Sequence, residues 1–243
     1  MPDAHGRGRG NSPGMIIFCR AERTGRRLRS KKHMFREMRR KAQQISTEEC
    51  MEILLNAKTG VLGLHGEDGY PYTVPVNFVY TPPGTGNGPV SDSDGSADKG
   101  NGSESGEKKN GPTPAGDRNS HLGTIGFHCA KTGHKIDAIR ADNRVSFTVI
   151  DLDEVMPKER TTKYRSVIAF GRAEFVEGDE NLRRAANALG AKYSSGYEDL
   201  YMAETEDTIR RKTLCCVEIT IDHMTGKIGK ELMLERKNKH END

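Results

Sequence analysis

The chain has 243 residues, a formal net charge of +3 and a hydrophobic share of 33%. Globular chains usually reach about 45–50% when Gly is counted, so part of this chain is not expected to pack. Trp is absent and aromatics make up 6%, which excludes a large aromatic core. No run of about 18 apolar residues is present to cross a membrane. The apolar stretch at 15–19 is too short for a signal-peptide core, so a cytoplasmic location is expected.

In chain order, residues 1–33 come first as a basic tail, with nine Lys/Arg against Asp3 and Glu22. The charge excess of the whole chain therefore sits in this arm, and the remainder is net acidic. No aromatic platform or recognition helix accompanies it, so nucleic-acid binding is not favoured. Met34 could equally serve as a start. Ser46 with Glu49 forms a capping box that opens a helix through about residue 58, with Ile45, Cys50, Ile53, Leu54 and Ala57 along one face. Residues 61–65 read as a strand, 66–69 as a turn and 70–80 as one long strand containing Pro71 and Pro75. Residues 81–120 are rich in Gly, Pro, Ser and Asp and nearly devoid of apolar side chains. Such a segment cannot offset its ordering entropy by burial, so it reads as a disordered insertion at a hairpin tip.

Further strands are expected at 122–128, 144–151, 164–177 and 214–221, with Gly171 as a bend or bulge in the third of these. A short helix is expected at 133–141 and a longer one, N-capped by Asp179, through about 193. The last residues, 235–243, are nearly all polar and are expected to fray. Thus 34–234 forms a single domain interrupted by the insertion. Six strands with few helices between them argue for a mainly β sheet curled into a barrel, not a doubly wound parallel sheet.

Three stretches could carry chemistry. In TVPVNF, Pro75 cannot donate to a β ladder, so this strand lies at an edge. Main-chain groups near Val74, Val76 and Asn77 then need another partner, which could be water or a flat hydrogen-bonding ring. In FHCAKTGHK, a strand end leads through a Gly-containing turn into a helix start, with His128, Lys131, His134 and Lys135 beside it. That is a plausible anion seat, although it has neither the Walker nor the dinucleotide glycine spacing. In KYRSVIAFGRAEF, Arg165 and Ser166 put a cation and a hydroxyl at the start of a buried strand. Cys19, Cys50, Cys129, Cys215 and Cys216 include no C-x-x-C pair. Neighbouring Cys215 and Cys216 would face opposite ways on a strand, so reduced thiols are expected and no metal site. No G-x-S-x-G elbow is present.

Together, YPYTVPVNFVY, IGFHCAKTGHKIDAIRADNRVSFTVI, KYRSVIAFGRAEFVE and VEITIDHMTGK resemble the pyridoxamine-phosphate-oxidase-like flavin-binding proteins, in the branch related to nitroimidazole-resistance (Nim) proteins. The resemblance implies a six-stranded split β-barrel and a homodimer with FMN at the subunit interface. It places the isoalloxazine edge along Thr73, Val74, Pro75, Val76 and Asn77, and the phosphate at Lys135 with His134. Arg165 and Ser166 would reach the cofactor or the partner subunit, and His128 would stand near the flavin as the candidate for substrate chemistry. The chain departs from the family in its 81–120 insertion and in lacking a match to the substrate-binding C-terminal strand and tail of the true oxidases.

The implied function is an FMN-dependent oxidoreductase acting on nitroimidazole, nitroaromatic or quinone-like compounds, with a reduced nicotinamide as donor. The alternatives are a non-catalytic flavin-binding stress protein, a pyridoxamine phosphate oxidase, or a haem or deazaflavin binder in the same barrel.

Overall fold

The structure, a computed structural model, describes residues 35–85 and 122–242. The tail at 1–33 and the insertion from 86 onward lie outside these. Glu37–Asp243 forms one compact unit. In chain order it holds β1 (Gln44–Ile45), α1 (Thr47–Asn56), β2 (Thr59–His65), β3 (Pro71–Asn77), β4 (Val79–Thr81) and β5 (Thr124–Cys129). Then follow α2 (His134–Ala141), β6 (Arg144–Met156), β7 (Thr161–Phe175), α3 (Asp179–Tyr193), α4 (Glu198–Arg210), β8 (Cys215–Ile228) and α5 (Lys230–Asn242).

All strands pair antiparallel, in the order β3-β2-β6-β7-β8-β5-β4, with β1 added alongside β8. The two ends of this path, β3 and β4, are separated in sequence by Phe78 alone. Laid flat, seven strands would put their edges about 29 Å apart, whereas one residue spans at most about 3.6 Å. The sheet must therefore curl until its edges meet at Phe78, which makes it a split barrel. What reads in the sequence as one strand over 70–80 is two strands on opposite edges, and Phe78 is the corner.

That corner is fully buried and packs edge-on against Phe147, with ring centroids 4.9 Å apart. Its main chain is satisfied from outside the sheet. The Phe78 N–H donates to Tyr193 Oη at 2.9 Å, and the carbonyls of Phe78 and Lys58 lie 2.7 and 2.5 Å from the same hydroxyl. Tyr193 ends α3, so this helix pins the seam of the barrel. Beside it, Lys192 donates to the Ala57 carbonyl at 2.6 Å and lies over the Phe78 ring.

The core fills the barrel with alternate residues of each strand, including Leu62, Ile125, Phe127, Phe147, Val149, Val167, Val217, Ile219 and Ile221. The bulge expected near Gly171 is present. Phe170 pairs with His223 and Gly171 with Ile221, so Asp222 is the extra residue. A Cβ at Gly171 would come within 2.2 Å of the Thr220 carbonyl oxygen, which explains the glycine.

The Ser46 cap forms as expected, its Oγ accepting from the Glu49 N–H at 3.1 Å. Gly178, not Asp179, is the N-cap of α3. Two helices had not been anticipated. α4 buries only Thr205 and Ile209 and packs antiparallel on α3, where Gly190 makes room for the Tyr201 ring. α5 replaces the expected frayed end: Leu232 and Met233 reach the core, and Arg236 pairs with Glu49 at 2.7 Å.

Candidate functional site

β3 is an edge strand. Among the described residues it pairs with β2 alone, from Thr59 opposite Asn77 to His65 opposite Pro71. Its side chains alternate: Tyr72, Val74 and Val76 pack on the core, while Thr73, Pro75 and Asn77 are exposed. Pro75 therefore sits where a missing N–H is tolerated, as the sequence requires.

α2 begins at His134, immediately after Gly133 (φ 116°), and its buried face is Ile136, Ala138 and Ile139. Gly133 adopts a backbone region closed to other residues, and its carbonyl accepts from the Ile136 and Asp137 N–H groups. The amides ahead of these are the ones a helix start leaves without intrahelical partners. The His134 ring stacks on Tyr72, centroids 4.0 Å apart and planes 15° from parallel. This contact joins the start of the edge strand to the N-terminus of the helix. Lys135 extends over the Phe127 ring, 5.6 Å from its centroid. Lys131 and His134 are exposed and Lys135 is half-buried. Two cations, an imidazole and a helix N-terminus thus lie at the end of a strand whose outer edge carries main-chain donors and acceptors. Such a set can hold an anionic group and a planar hydrogen-bonding ring together.

The other expected residues do not all converge there. His128 is exposed at the end of β5, opposite Cys216. By strand alternation it points away from the face that carries core residue Phe127 and its neighbour Cys129. Arg165 and Ser166 lie near the start of β7, while the residue of β7 level with Phe127 is Phe175. Ten residues of strand separate them from the α2 end, on the order of 30 Å. Arg165 donates from Nε to Asp151 Oδ2 at 2.6 Å. Ser166 faces the opposite way, as its buried neighbour Val167 shows.

Ser166 shares its face with an exposed row system. Pro75, Val61, Thr148, Ile168 and Thr225 lie side by side across the sheet, followed by Thr73, Gly63, Ser146, Phe170 and His223. Val61, Ile150, Ile168 and Phe170 are 36–62% exposed on it. The sequence marks neither Tyr72, which joins the β3 edge to α2, nor Tyr193, which pins the seam. Both read as ordinary strand or helix aromatics, and only the pairing reveals what they touch.

Residues 119–228 match the family model of pyridoxamine 5'-phosphate oxidase. Over that stretch the chain is similar to the pyridoxamine 5'-phosphate oxidase family. The split barrel is shared with solved structures. A conserved hypothetical protein from Mycobacterium tuberculosis is 20% identical, with a TM-score of 0.53 over 81% of this chain and 92% of that one. A flavocytochrome from Azotobacter vinelandii is 16% identical, with a TM-score of 0.50 over 80% and 72%. A candidate 5-nitroimidazole antibiotic resistance protein from Bacteroides thetaiotaomicron is 20% identical, with a TM-score of 0.47 over 76% and 86%. No curated protein matches the chain significantly. Among the described residues, no helix of this domain is long and apolar enough to cross a membrane.

Proposed function

We propose that the protein binds FMN and reduces small electron-poor acceptors, nitroaromatic or quinone-like, at the expense of a reduced nicotinamide. The observation that carries this reading is the Tyr72–His134 stack, which sets the outer edge of β3 beside the N-terminus of α2. The residues present fit such a cofactor. The main chain from Thr73 to Asn77 has a free edge for a heterocycle, and Pro75, which has no N–H of its own, is tolerated on it. Lys135, His134 and the first amides of α2 offer a phosphate its charge and donors. Bound flavin would supply the electron-transfer chemistry. The chain's own part is to hold the ring on a rigid edge, fix the phosphate and leave one ring face open.

The exposed rows around Val61, Ile150, Ile168 and Phe170 support a homodimer, since an apolar sheet face of this extent favours a partner. In a two-fold pair each surface meets its own copy. Arg165 and Ser166, too distant to serve the α2 end of their own chain, would then serve the partner's site. His128 faces away from Lys135 and is exposed, which leaves it to the substrate and not to the phosphate.

The test is nitroaromatic reduction with a reduced nicotinamide. The FMN-loaded protein should exceed the rate of the same concentration of free FMN. Lys135→Ala should weaken FMN binding about tenfold or more, the size of one charge-assisted hydrogen bond. Equal rates with and without protein would leave a flavin carrier and no enzyme.

A further inference from the structure

Cys129 is the last residue of β5 and Cys215 the first of β8, and the two are direct partners in the antiparallel ladder. Directly opposed residues stand about 4.5–5.5 Å apart at Cα, inside the about 4.4–6.8 Å range of disulfides. Opposed residues also point to the same face. Here that is the face of Phe127 and Val217, at the barrel end beneath α2. Cys215 and Lys135 both lie close enough to act on the Cys129 thiol. Both cysteines are free and only half-buried. Because each ends its strand, the ladder on one side can adjust without breaking pairs on both.

The other described thiols are excluded by position. Cys216 points to the opposite face and is 1% exposed; Cys50, on the buried face of α1 against Gly226, is 2% exposed.

We infer that Cys129 and Cys215 form a reversible dithiol–disulfide couple that closes when the protein meets a peroxide. One thiol, as thiolate, attacks a peroxide oxygen, the O–O bond breaks, and a sulfenic acid and one water result. The second thiol attacks that sulfur, the S–O bond breaks, and the disulfide and a second water are released. Two electrons leave the thiols and reduce one peroxide. Burial pushes the Cys129 thiol up to about 11, with the neighbouring Cys215 adding to the rise. The couple therefore closes slowly at neutral pH, as a staple and not as a peroxidase. It ties down the 130–133 loop that leads into α2. The inference stands apart from the flavin reading, since it uses neither cofactor nor turnover.

The full chain is treated with hydrogen peroxide, its remaining thiols are alkylated, and the digest is mapped by mass. The expected result is a peptide linking Cys129 to Cys215, two thiols fewer per chain, and full recovery with dithiothreitol. Cys216→Ala should still form the link; Cys129→Ser and Cys215→Ser should not. Retention of both thiols, a link through Cys19, Cys50 or Cys216 in their place, or sulfinic and sulfonic acids without a link would each overturn it.

Discussion

Tyr193 Oη stands at the corner where β3 passes into β4, where strand pairing does not close the barrel wall. It accepts from the Phe78 N–H and has the carbonyls of Phe78 and Lys58 within 2.7 Å. Its removal leaves the partly buried Phe78 main chain without a partner, and such a group costs about 1–3 kcal/mol. Tyr193→Phe, which keeps the ring, should therefore lower unfolding free energy by that amount in urea. An unchanged midpoint would mean that water replaces the hydroxyl. Burial raises the Tyr193 hydroxyl pKa and lowers that of Lys192, as expected for polar groups drawn into a seam. Nothing in the sequence marks Tyr193, because the need it meets arises only when β3 and β4 part at Phe78. Pro75, by contrast, was legible in advance: its missing N–H alone requires an edge.

At the scale of elements, α5 is held by Leu232 and Met233 against the core and by the Arg236–Glu49 ion pair. The Arg236 guanidinium holds the Glu49 carboxyl below its ordinary value, against a smaller opposing effect of burial. A carboxylate depressed in the folded state stabilises above its unfolded pKa of 4.5 and loses that contribution as pH falls through its folded value. The pair is partly exposed, so solvent screening holds the effect to about 0.5 kcal/mol. Glu49→Gln should cost that much at pH 7 and progressively less below pH of about 4.5. A constant difference across this range would assign the loss to something other than the charge. The strands of the core and helices α1 to α3 were legible because their apolar residues recur at period 2 or 3.6. α4 and α5 were not, since each buries two or so apolar or small side chains on an otherwise charged helix, leaving too faint a pattern. The length of β7 was legible, but that of β6 was hidden because its far end is exposed and polar, and that of β8 because the strand runs on past its Asp222 bulge through mostly polar residues.

For the whole molecule, the candidate site divides between the two ends of one sheet. His134 and Lys135 stand at one end of β7 and Arg165 and Ser166 on the order of 30 Å away along it, with the β3 edge crossing the sheet between them, Pro75 in the row of Ile168. Nothing in the sequence order of these residues shows the division; strand register alone does. The homodimer proposed across the exposed rows would resolve the division. Ile168→Lys, on that face at 40% exposure, should convert a dimer to monomer in light scattering and weaken flavin retention with it. A monomeric wild type would refute the arrangement. The central claim is that the β3 edge and the start of α2 together hold FMN. It is tested most directly by the visible absorption spectrum of the purified protein, with the mass of the ligand released on denaturation. The account predicts a two-banded yellow spectrum and a released mass equal to FMN. A colourless protein that takes up no added FMN would contradict it, as would a Soret band from haem.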